Sequence, residues 1–263
     1  MSEIDFGRHS DDYATHRPCF PPSFYDRLAA IRTLDGLDVL DLGTGPGFIA
    51  LELARRGSRT IGLDIAENQI ATARLVVSAV GLEDRCAFAV GRAEDAGFPD
   101  RSFDLIVAGQ CWWWFQQPVT MENVQRMLRP DGMLVVATFN FLPLLDPVAG
   151  ATEALILKHN PDFQYAGDDG IYTRYLHQLT EGHRFELVEQ FCYDHMQPFT
   201  HEAWCGRMRT HNAIGSGGLP PDGVEAFDRD LTALLARDFP DQPLRIRHRV
   251  YAVIVRQPEG RRE

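Results

Sequence analysis

The segment D-L-G-T-G-P-G, residues 41–47, contains residue types that could hold a nucleoside cofactor. Its first two residues complete the largely apolar run Val39–Leu42, which is typical of a strand buried on both faces. Its glycines allow a ligand to approach the backbone closely, because no side chain is in the way. About twenty residues later Asp64 follows a second predicted strand, Thr60–Leu63, at the distance where an acid meets ribose hydroxyls in such folds. The pattern predicts a strand, a turn, a helix and a strand around an adenosine-bearing cofactor.

Two cofactors fit this arrangement, and two residues distinguish them. A nicotinamide dinucleotide site has glycine or alanine at the sixth place of G-x-G-x-x-G, where this chain has Phe48. Asp41 comes shortly before the first glycine, and its carboxylate would repel a pyrophosphate but attract the ammonium and sulfonium groups of S-adenosylmethionine. The residues therefore favour S-adenosylmethionine, and a nicotinamide-dependent dehydrogenase is the disfavoured alternative.

Four segments resemble, in their order, the motifs of class I S-adenosylmethionine-dependent methyltransferases. They are D-L-G-T-G-P-G at 41–47, G-R-A-E-D at 91–95, F-P-D-R-S-F-D-L-I-V at 98–107 and L-R-P-D-G-M-L-V-V-A-T-F at 128–139. Over its whole length the chain is similar to the bacterial small-molecule branch (type 11) grouped with trans-aconitate methyltransferases. The resemblance implies an α/β fold, a doubly wound, seven-stranded, mostly parallel Rossmann-like sheet with a helical lid. It also implies S-adenosylmethionine as cofactor and S-adenosylhomocysteine as product.

The resemblance assigns cofactor contacts to individual positions. Candidates at the methionine end are Asp41, Gly43, Thr44, Gly45 and Gly47, with Asp64 on the ribose and Ile65 against the adenine. Further cofactor-binding candidates are Tyr13, Arg17, Gln69, Arg92, Ala93, Glu94 and Gln110. Glu94 could instead be a solvated loop acid, and the arm that carries Tyr13 and Arg17 could be an ordinary surface arm.

The aromatic run C-W-W-W-F, residues 111–115, is the main candidate for the acceptor site. Four consecutive large aromatics cannot all enter one core, so some are expected to face a cavity as a dry wall or a cation-binding surface. Alternatively, two pack in the core and two lie under a lid. Related sequences often have histidine at the place of Trp113, which puts a general base from this loop in doubt. Trp113 and His177 are the catalytic candidates, and the pocket candidates are Trp112, Trp113, Tyr172, Tyr175, Trp204 and Arg207.

Composition narrows the class of partner. The chain of 263 residues is 44% hydrophobic and has 37 acidic against 26 basic residues, for a formal charge of −11. This charge disfavours nucleic acids and anionic membranes as substrates. The scattered cysteines, the absence of metal-ligand spacing and the absence of a long apolar run lead us to expect a cytoplasmic protein without a metal, and the resemblance implies a bacterial one. A monomer or a homodimer acting on a small molecule is expected.

The order of predicted elements suggests three regions. Residues 1–36 form an arm and a helix that cover the cofactor, 37–140 form the S-adenosylmethionine-binding core, and 141–263 hold lid segments (142–170 and 197–243) plus the last strands. The sixth and seventh strands are predicted over 185–192 and 246–255. The resemblance implies that the chain methylates oxygen, nitrogen or carbon of a metabolite or natural-product intermediate. The alternative is a non-methylating S-adenosylmethionine-binding protein with a repurposed pocket.

Overall fold

The structure, a computed structural model, describes residues 15–258. Within them a seven-stranded sheet has the order β3-β2-β1-β4-β5-β7-β6. The strands are β1 (Asp38–Leu42), β2 (Arg59–Asp64), β3 (Cys86–Val90), β4 (Phe103–Gly109), β5 (Leu128–Phe141), β6 (Glu186–Phe199) and β7 (Leu244–Arg256). The predicted seven-stranded, mostly parallel sheet with flanking helices is confirmed.

Helices connect most of the strands. The α-helices are α1 (Pro22–Ile31), α2 (Phe48–Arg55), α3 (Glu67–Ser78), α4 (Gln117–Met127), α5 (Pro147–His159), α6 (Thr173–Thr180), α7 (His201–Arg209) and α8 (Pro221–Asp238). Single turns of 3-10 helix lie at Ala93–Asp95, Trp112–Trp114 and Glu181–His183. None of the helices in the described range is long and apolar enough to cross a membrane.

The centre of the sheet is buried on both faces. Leu40 packs in one hydrophobic cluster with Ile106, while Val39 packs in another with Leu105 and Val107. This alternation follows from the period of two in a strand, and a strand covered on both sides needs apolar residues at successive positions. The apolar run that begins at Val39 therefore specifies a central strand.

Parallel pairing places the functional segments at one edge. Strand β1 pairs in parallel with both β2 and β4, so that Asp41 lies opposite Gly62 on one side and Val107 on the other. The carboxyl ends of these three strands consequently meet at the same edge, which is where ligands bind in open α/β sheets. The glycine turn, Asp64 and Gln110 all follow strand ends at this edge.

The chain divides into two compact units. The core unit comprises residues 19–139, 172–193 and 250–258, and the helical unit comprises residues 15–18, 140–171 and 194–249. The helical unit has its own hydrophobic core, in which Trp204 of α7, Phe227 of α8 and Ile156 of α5 are buried. The predicted lid segments, 142–170 and 197–243, fall within the helical unit.

Several strands extend beyond the ranges predicted from sequence. Strand β6 runs to Phe199 and β7 begins at Leu244, whereas apolar patterning alone indicated 185–192 and 246–255. The residues added to β6 are mostly exposed or partly buried, and a strand that is only half covered has a weaker apolar signal.

Candidate functional site

The glycine turn has a backbone that side chains would not allow. Gly43 has φ +63° and Gly47 has φ +81°, in the left-handed region that favours glycine. A Cβ on Gly43 would lie 2.8 Å from the Cβ of Cys111, and one on Gly47 would lie 2.6 Å from the ring of Phe88. Helix α2 begins at Phe48, directly after Gly47, so the N-terminus of the helix adjoins the glycine turn.

Asp41 is buried beneath the turn, with 1% of its surface exposed. Its Oδ2 accepts hydrogen bonds from the Thr44 hydroxyl at 2.6 Å and from the Ala50 backbone N–H at 3.2 Å. Its Oδ1 is buried and accepts no hydrogen bond from the described residues. Burial raises the pKa of this carboxyl to about 7, the charge of Asp64 adds to the rise, and the two hydrogen bonds oppose it.

Asp64 lies at the end of β2 and faces the same turn. Its Oδ2 accepts the Gly45 backbone N–H at 2.8 Å, and its Oδ1 accepts the Ala66 N–H at 2.9 Å. Burial raises its pKa, while these backbone hydrogen bonds lower it. Each carboxylate oxygen keeps acceptor capacity for a further donor. The next residue, Ile65, is 57% exposed and offers an apolar surface beside the acid.

The segment after β3 is tied to the segment after β4. The Glu94 Oε1 accepts the backbone N–H of Gln116 at 2.8 Å, and its Oε2 lies 3.5 Å from Nε of Arg92. The Asn123 side chain donates to the backbone carbonyls of Ala93, which is buried, and of Glu94. Sequence reasoning missed Gln116 and Asn123. For Asn123 the sequence did offer a signal, because a residue three positions after the inward-facing Thr120 lies on the same side of α4.

Gln110 follows β4 with φ +64°, an uncommon conformation for a residue other than glycine. Its backbone N–H donates to the Ala137 carbonyl at 2.9 Å and its side-chain amide donates to the Phe139 carbonyl. Next to it, the Cys111 thiol donates to the carbonyl of Leu42 at the end of β1. These bonds hold a sharp bend at the sheet edge, and such strained conformations concentrate at functional sites.

The aromatic run divides between core and surface. Trp112 is 1% exposed and meets Phe115 edge to face at 6.1 Å between ring centroids. Trp113 is partly buried and Trp114 is 38% exposed, with 6.0 Å between their ring centroids.

The remaining acceptor candidates of the core unit lie on or next to α6. Tyr172 stacks on Tyr175 at 5.3 Å between ring centroids, and Tyr175 is fully buried. His177 is exposed.

The other candidates lie elsewhere. Arg17, Trp204 and Arg207 belong to the helical unit, where the Trp204 indole is buried and donates to the Thr152 hydroxyl at 3.0 Å. Gln69 is buried on α3, at 2% exposure. Tyr13 lies outside the described residues. The structure thus brings the glycine turn, Asp41, Asp64 and Gln110 together in the core unit.

The polar groups at the carboxyl ends of the strands in the core unit are complementary to those of S-adenosylmethionine. The unsatisfied Oδ1 of Asp41 is a carboxylate acceptor suited to an ammonium group, and the oxygens of Asp64 are suited to hydroxyls. Ile65 supplies the apolar surface that a purine ring needs. Among residues 15–258 no group of three or more histidine, cysteine or acidic side chains could hold a metal ion.

Residues 40–136 match the family model of a methyltransferase domain. The chain contains a methyltransferase domain. The match covers β1 to most of β5, so the family residues and the site geometry coincide. The methyltransferase domain also accounts for the order of the four sequence motifs.

Individual relatives agree with the domain match. The methyltransferase GfsG of Streptomyces halstedii is 37% identical over 118 residues, or 44% of this chain and 42% of GfsG. The chain spans about half the length of the curated relatives it matches.

Solved structures share the fold of the methyltransferase domain and of most of the chain. A protein of Anaeromyxobacter dehalogenans, provisionally named a type II methyltransferase, has a TM-score of 0.65 at 24% identity, covering 92% of this chain and 99% of that one. The [4+2]-cyclase SpnF has a TM-score of 0.55 at 20% identity, covering 90% of this chain and 82% of its own. At these identities the comparison establishes the fold alone.

Proposed function

We propose that the protein transfers a methyl group from S-adenosylmethionine to oxygen, nitrogen or carbon of a small organic acceptor, and releases S-adenosylhomocysteine. The observation that carries this proposal is the buried, unsatisfied Oδ1 of Asp41 beside a glycine turn, within residues that match a methyltransferase domain. A buried polar atom without a partner is costly, and a ligand ammonium group would remove that cost.

The cofactor roles follow from the contacts at the sheet edge. Asp41 would accept the ammonium group, Asp64 the ribose hydroxyls, and Ile65 would cover the adenine. When bound, S-adenosylmethionine supplies an electrophilic methyl group, so the protein has mainly to position the acceptor and exclude water.

The remaining candidates support the two ends of the cofactor site. The Ala93 backbone with Arg92 or Glu94 would border the adenine edge. The Glu94 bond to Gln116 would hold the loop that carries the tryptophans. Gln110, Gly43, Thr44, Gly45 and Gly47 would line the methionine end.

No dedicated base is assigned to the reaction. His177 is exposed on α6, and the indole of Trp113 cannot take a proton at neutral pH. The acceptor atom we favour is therefore one that is already deprotonated or that loses its proton to solvent. Trp113 and the partly buried Tyr172 would line the acceptor site, while the buried Trp112 and Tyr175 would support it from the core of the same unit.

The proposal extends to the branch of the family, the cell compartment and the oligomeric state. We place the protein in the bacterial small-molecule branch similar to trans-aconitate methyltransferases, acting in the cytoplasm as a monomer or a homodimer. The motifs over 41–139 and the excess of acidic residues support this assignment.

A second candidate function is S-adenosylmethionine binding without methyl transfer. The lack of an assigned base favours it, and the fold is shared with the cyclase SpnF, so that the fold by itself does not decide between the two.

Incubation with trideuteromethyl-labelled S-adenosylmethionine and a bacterial metabolite extract separates the two candidates. Methyl transfer predicts S-adenosylhomocysteine and a labelled product in mass spectrometry, both reduced with the Asp64→Ala variant when the cofactor is limiting. Tight cofactor binding with no labelled product in any extract would favour the non-methylating function.

A further inference from the structure

The 3-10 turn Ala93–Asp95 is attached to helix α4 at two points. At the first, the Glu94 Oε1 accepts the backbone N–H of Gln116 at 2.8 Å, and this carboxylate belongs to a side chain that is only 9% exposed. At the second, the side-chain amide of Asn123 donates to the carbonyls of both Ala93 and Glu94. Positions 116 and 123 are about two helical turns apart, so both points lie on one face of α4. The turn is therefore held along the helix and not at a single residue.

The contact at Gln116 lies at the start of α4. Gln116 is the N-cap residue, and its own side chain forms no capping hydrogen bond. The first N–H groups of a helix have no partner within the helix, and the helix N-terminus carries a partial positive charge. The Glu94 carboxylate supplies an acceptor and the complementary negative charge. The orientation of the start of α4 consequently depends on the position of Glu94.

The aromatic segment directly before α4 is held at its other end by the glycine turn. The Cys111 thiol donates to the Leu42 carbonyl at 3.0 Å. A Cβ on Gly43 would lie 2.8 Å from the Cβ of Cys111 and 3.3 Å from Cζ of Phe115, so the segment packs directly on the glycine turn. Both ends of the 3-10 turn Trp112–Trp114 are thus connected to segments that the proposed function assigns to the cofactor.

We propose that Asn123 is a positioning residue that couples the cofactor site to the acceptor site. This inference rests on the proposed function, because it describes how two parts of that same site are connected. S-adenosylmethionine bound against the Ala93 backbone restrains the turn 93–95, and Asn123 and Glu94 transmit this restraint to the start of α4 and to the tryptophans before it. Trp113 then has a fixed position when the acceptor binds, and this chemistry requires it because the acceptor atom must be aligned with the methyl group. The cofactor consequently binds first.

Thr120 provides a matched control on the same face of α4. It is fully buried, and its hydroxyl forms no hydrogen bond with any residue that the structure describes. Asn123→Asp and Thr120→Val both replace polar atoms with little change in volume. The first change removes two N–H donors and places a carboxylate against two carbonyls, because an ionised aspartate is an acceptor only. The second change leaves both attachments of the turn 93–95 in place.

The experiment is hydrogen exchange, followed by mass spectrometry, on the full-length protein with and without saturating S-adenosylhomocysteine. Exchange measures local opening, and a ligand that restrains a segment slows its exchange. In the wild type we expect exchange in peptides covering 112–119 to slow by about 5- to 50-fold when the ligand binds. In Asn123→Asp this slowing should fall below about twofold, whereas peptides covering 43–47 should be slowed as in the wild type. Thr120→Val should behave as the wild type does in both segments.

Two results would overturn the coupling. They are equal exchange of residues 112–119 with and without S-adenosylhomocysteine in the wild type, and normal slowing of these residues in Asn123→Asp. If Asn123→Asp does not fold, Asn123→Ala carries the test, because it removes the same two donors without adding a charge. Normal slowing of residues 112–119 in that variant contradicts the proposal.

Calorimetric titrations keep this proposal separate from the proposed function. Both α4 variants should bind S-adenosylhomocysteine to saturation. Complete loss of binding in Asn123→Asp would make Asn123 a part of the cofactor site and overturn our assignment. A wild-type protein that does not bind S-adenosylhomocysteine would instead defeat the proposed function.

Discussion

The backbone N–H of Gly45 donates to Oδ2 of Asp64 at 2.8 Å, and this bond ties the glycine turn after β1 to the end of β2. The second carboxylate oxygen is held in turn by the N–H of Ala66 at 2.9 Å. The acid is thus oriented by the backbone before any ligand is present, and such preorganisation reduces the entropy lost on binding.

Replacement of Asp64 should weaken binding of S-adenosylmethionine. Asp64→Ala removes the hydroxyl acceptors, and we expect a loss of about 1.5 to 3 kcal/mol in calorimetric titration. Asp64→Asn keeps one oxygen and should lose less. Asp100→Ala, which removes an exposed partner of Arg126, is the control and should bind normally. Equal affinity of the wild type and Asp64→Ala would refute the ribose assignment.

Affinity for S-adenosylmethionine should depend on pH through Asp41. Its pKa is raised to about 7 in the ligand-free protein, and an ammonium group needs the ionised form. As pH falls from 7 to 5, proton release must accompany binding, so the dissociation constant should rise by up to about tenfold for each pH unit. Calorimetry in buffers of different ionisation enthalpy measures that proton. A flat profile in the wild type would contradict the role of Asp41.

Asp41→Asn should stabilise the ligand-free protein at high pH while weakening cofactor binding. The folded-state pKa lies above the value of 3.8 for an unperturbed aspartate, so folding above pH 7 must bury a charge that is already present in the unfolded chain. Removing that charge should add about 2 to 4 kcal/mol to the free energy of unfolding at pH 8. The gain should fade as pH decreases from 7 towards 4. Urea unfolding at pH 8 and pH 4 measures it, and a variant less stable at pH 8 would count against our interpretation.

Two glycines with similar backbones should respond differently to alanine. Gly47 and Gly81 have φ +81° and +68°, but a Cβ would meet the Phe88 ring at 2.6 Å in the first case and nothing within 4 Å in the second. Gly81→Ala should cost about 1 to 2 kcal/mol through backbone strain alone. Gly47→Ala should cost roughly 1 to 3 kcal/mol more, because the ring must move. Denaturant unfolding compares them, and equal losses would disprove the steric constraint at Gly47.

The central sheet and its acids were accessible from sequence because their signals are local. A continuous apolar run from Val39 indicates a strand covered on both faces, and adjacent parallel strands bring Asp41 and Asp64 to one edge. The glycines marked the turn because its positive φ angles exclude other residues.

The supporting contacts were not accessible, because they depend on partners far apart in sequence. The bond from Gln116 to Glu94 and the packing of His16 on Gly206 join segments whose approach only the folded chain determines. For the same reason the sequence could not show that Trp112 is buried while Trp114 is exposed. All three tryptophans have the same intrinsic preference for burial, and the 3-10 turn at 112–114 places their side chains on different sides of the segment.

Parallel calorimetric titrations of the wild type and Asp41→Asn with S-adenosylmethionine and with NAD+ test the central claim most directly. We predict binding of S-adenosylmethionine by the wild type, clearly weaker binding by Asp41→Asn, and no binding of NAD+ by either protein. Binding of NAD+ by the wild type, together with no heat from S-adenosylmethionine, would contradict the account.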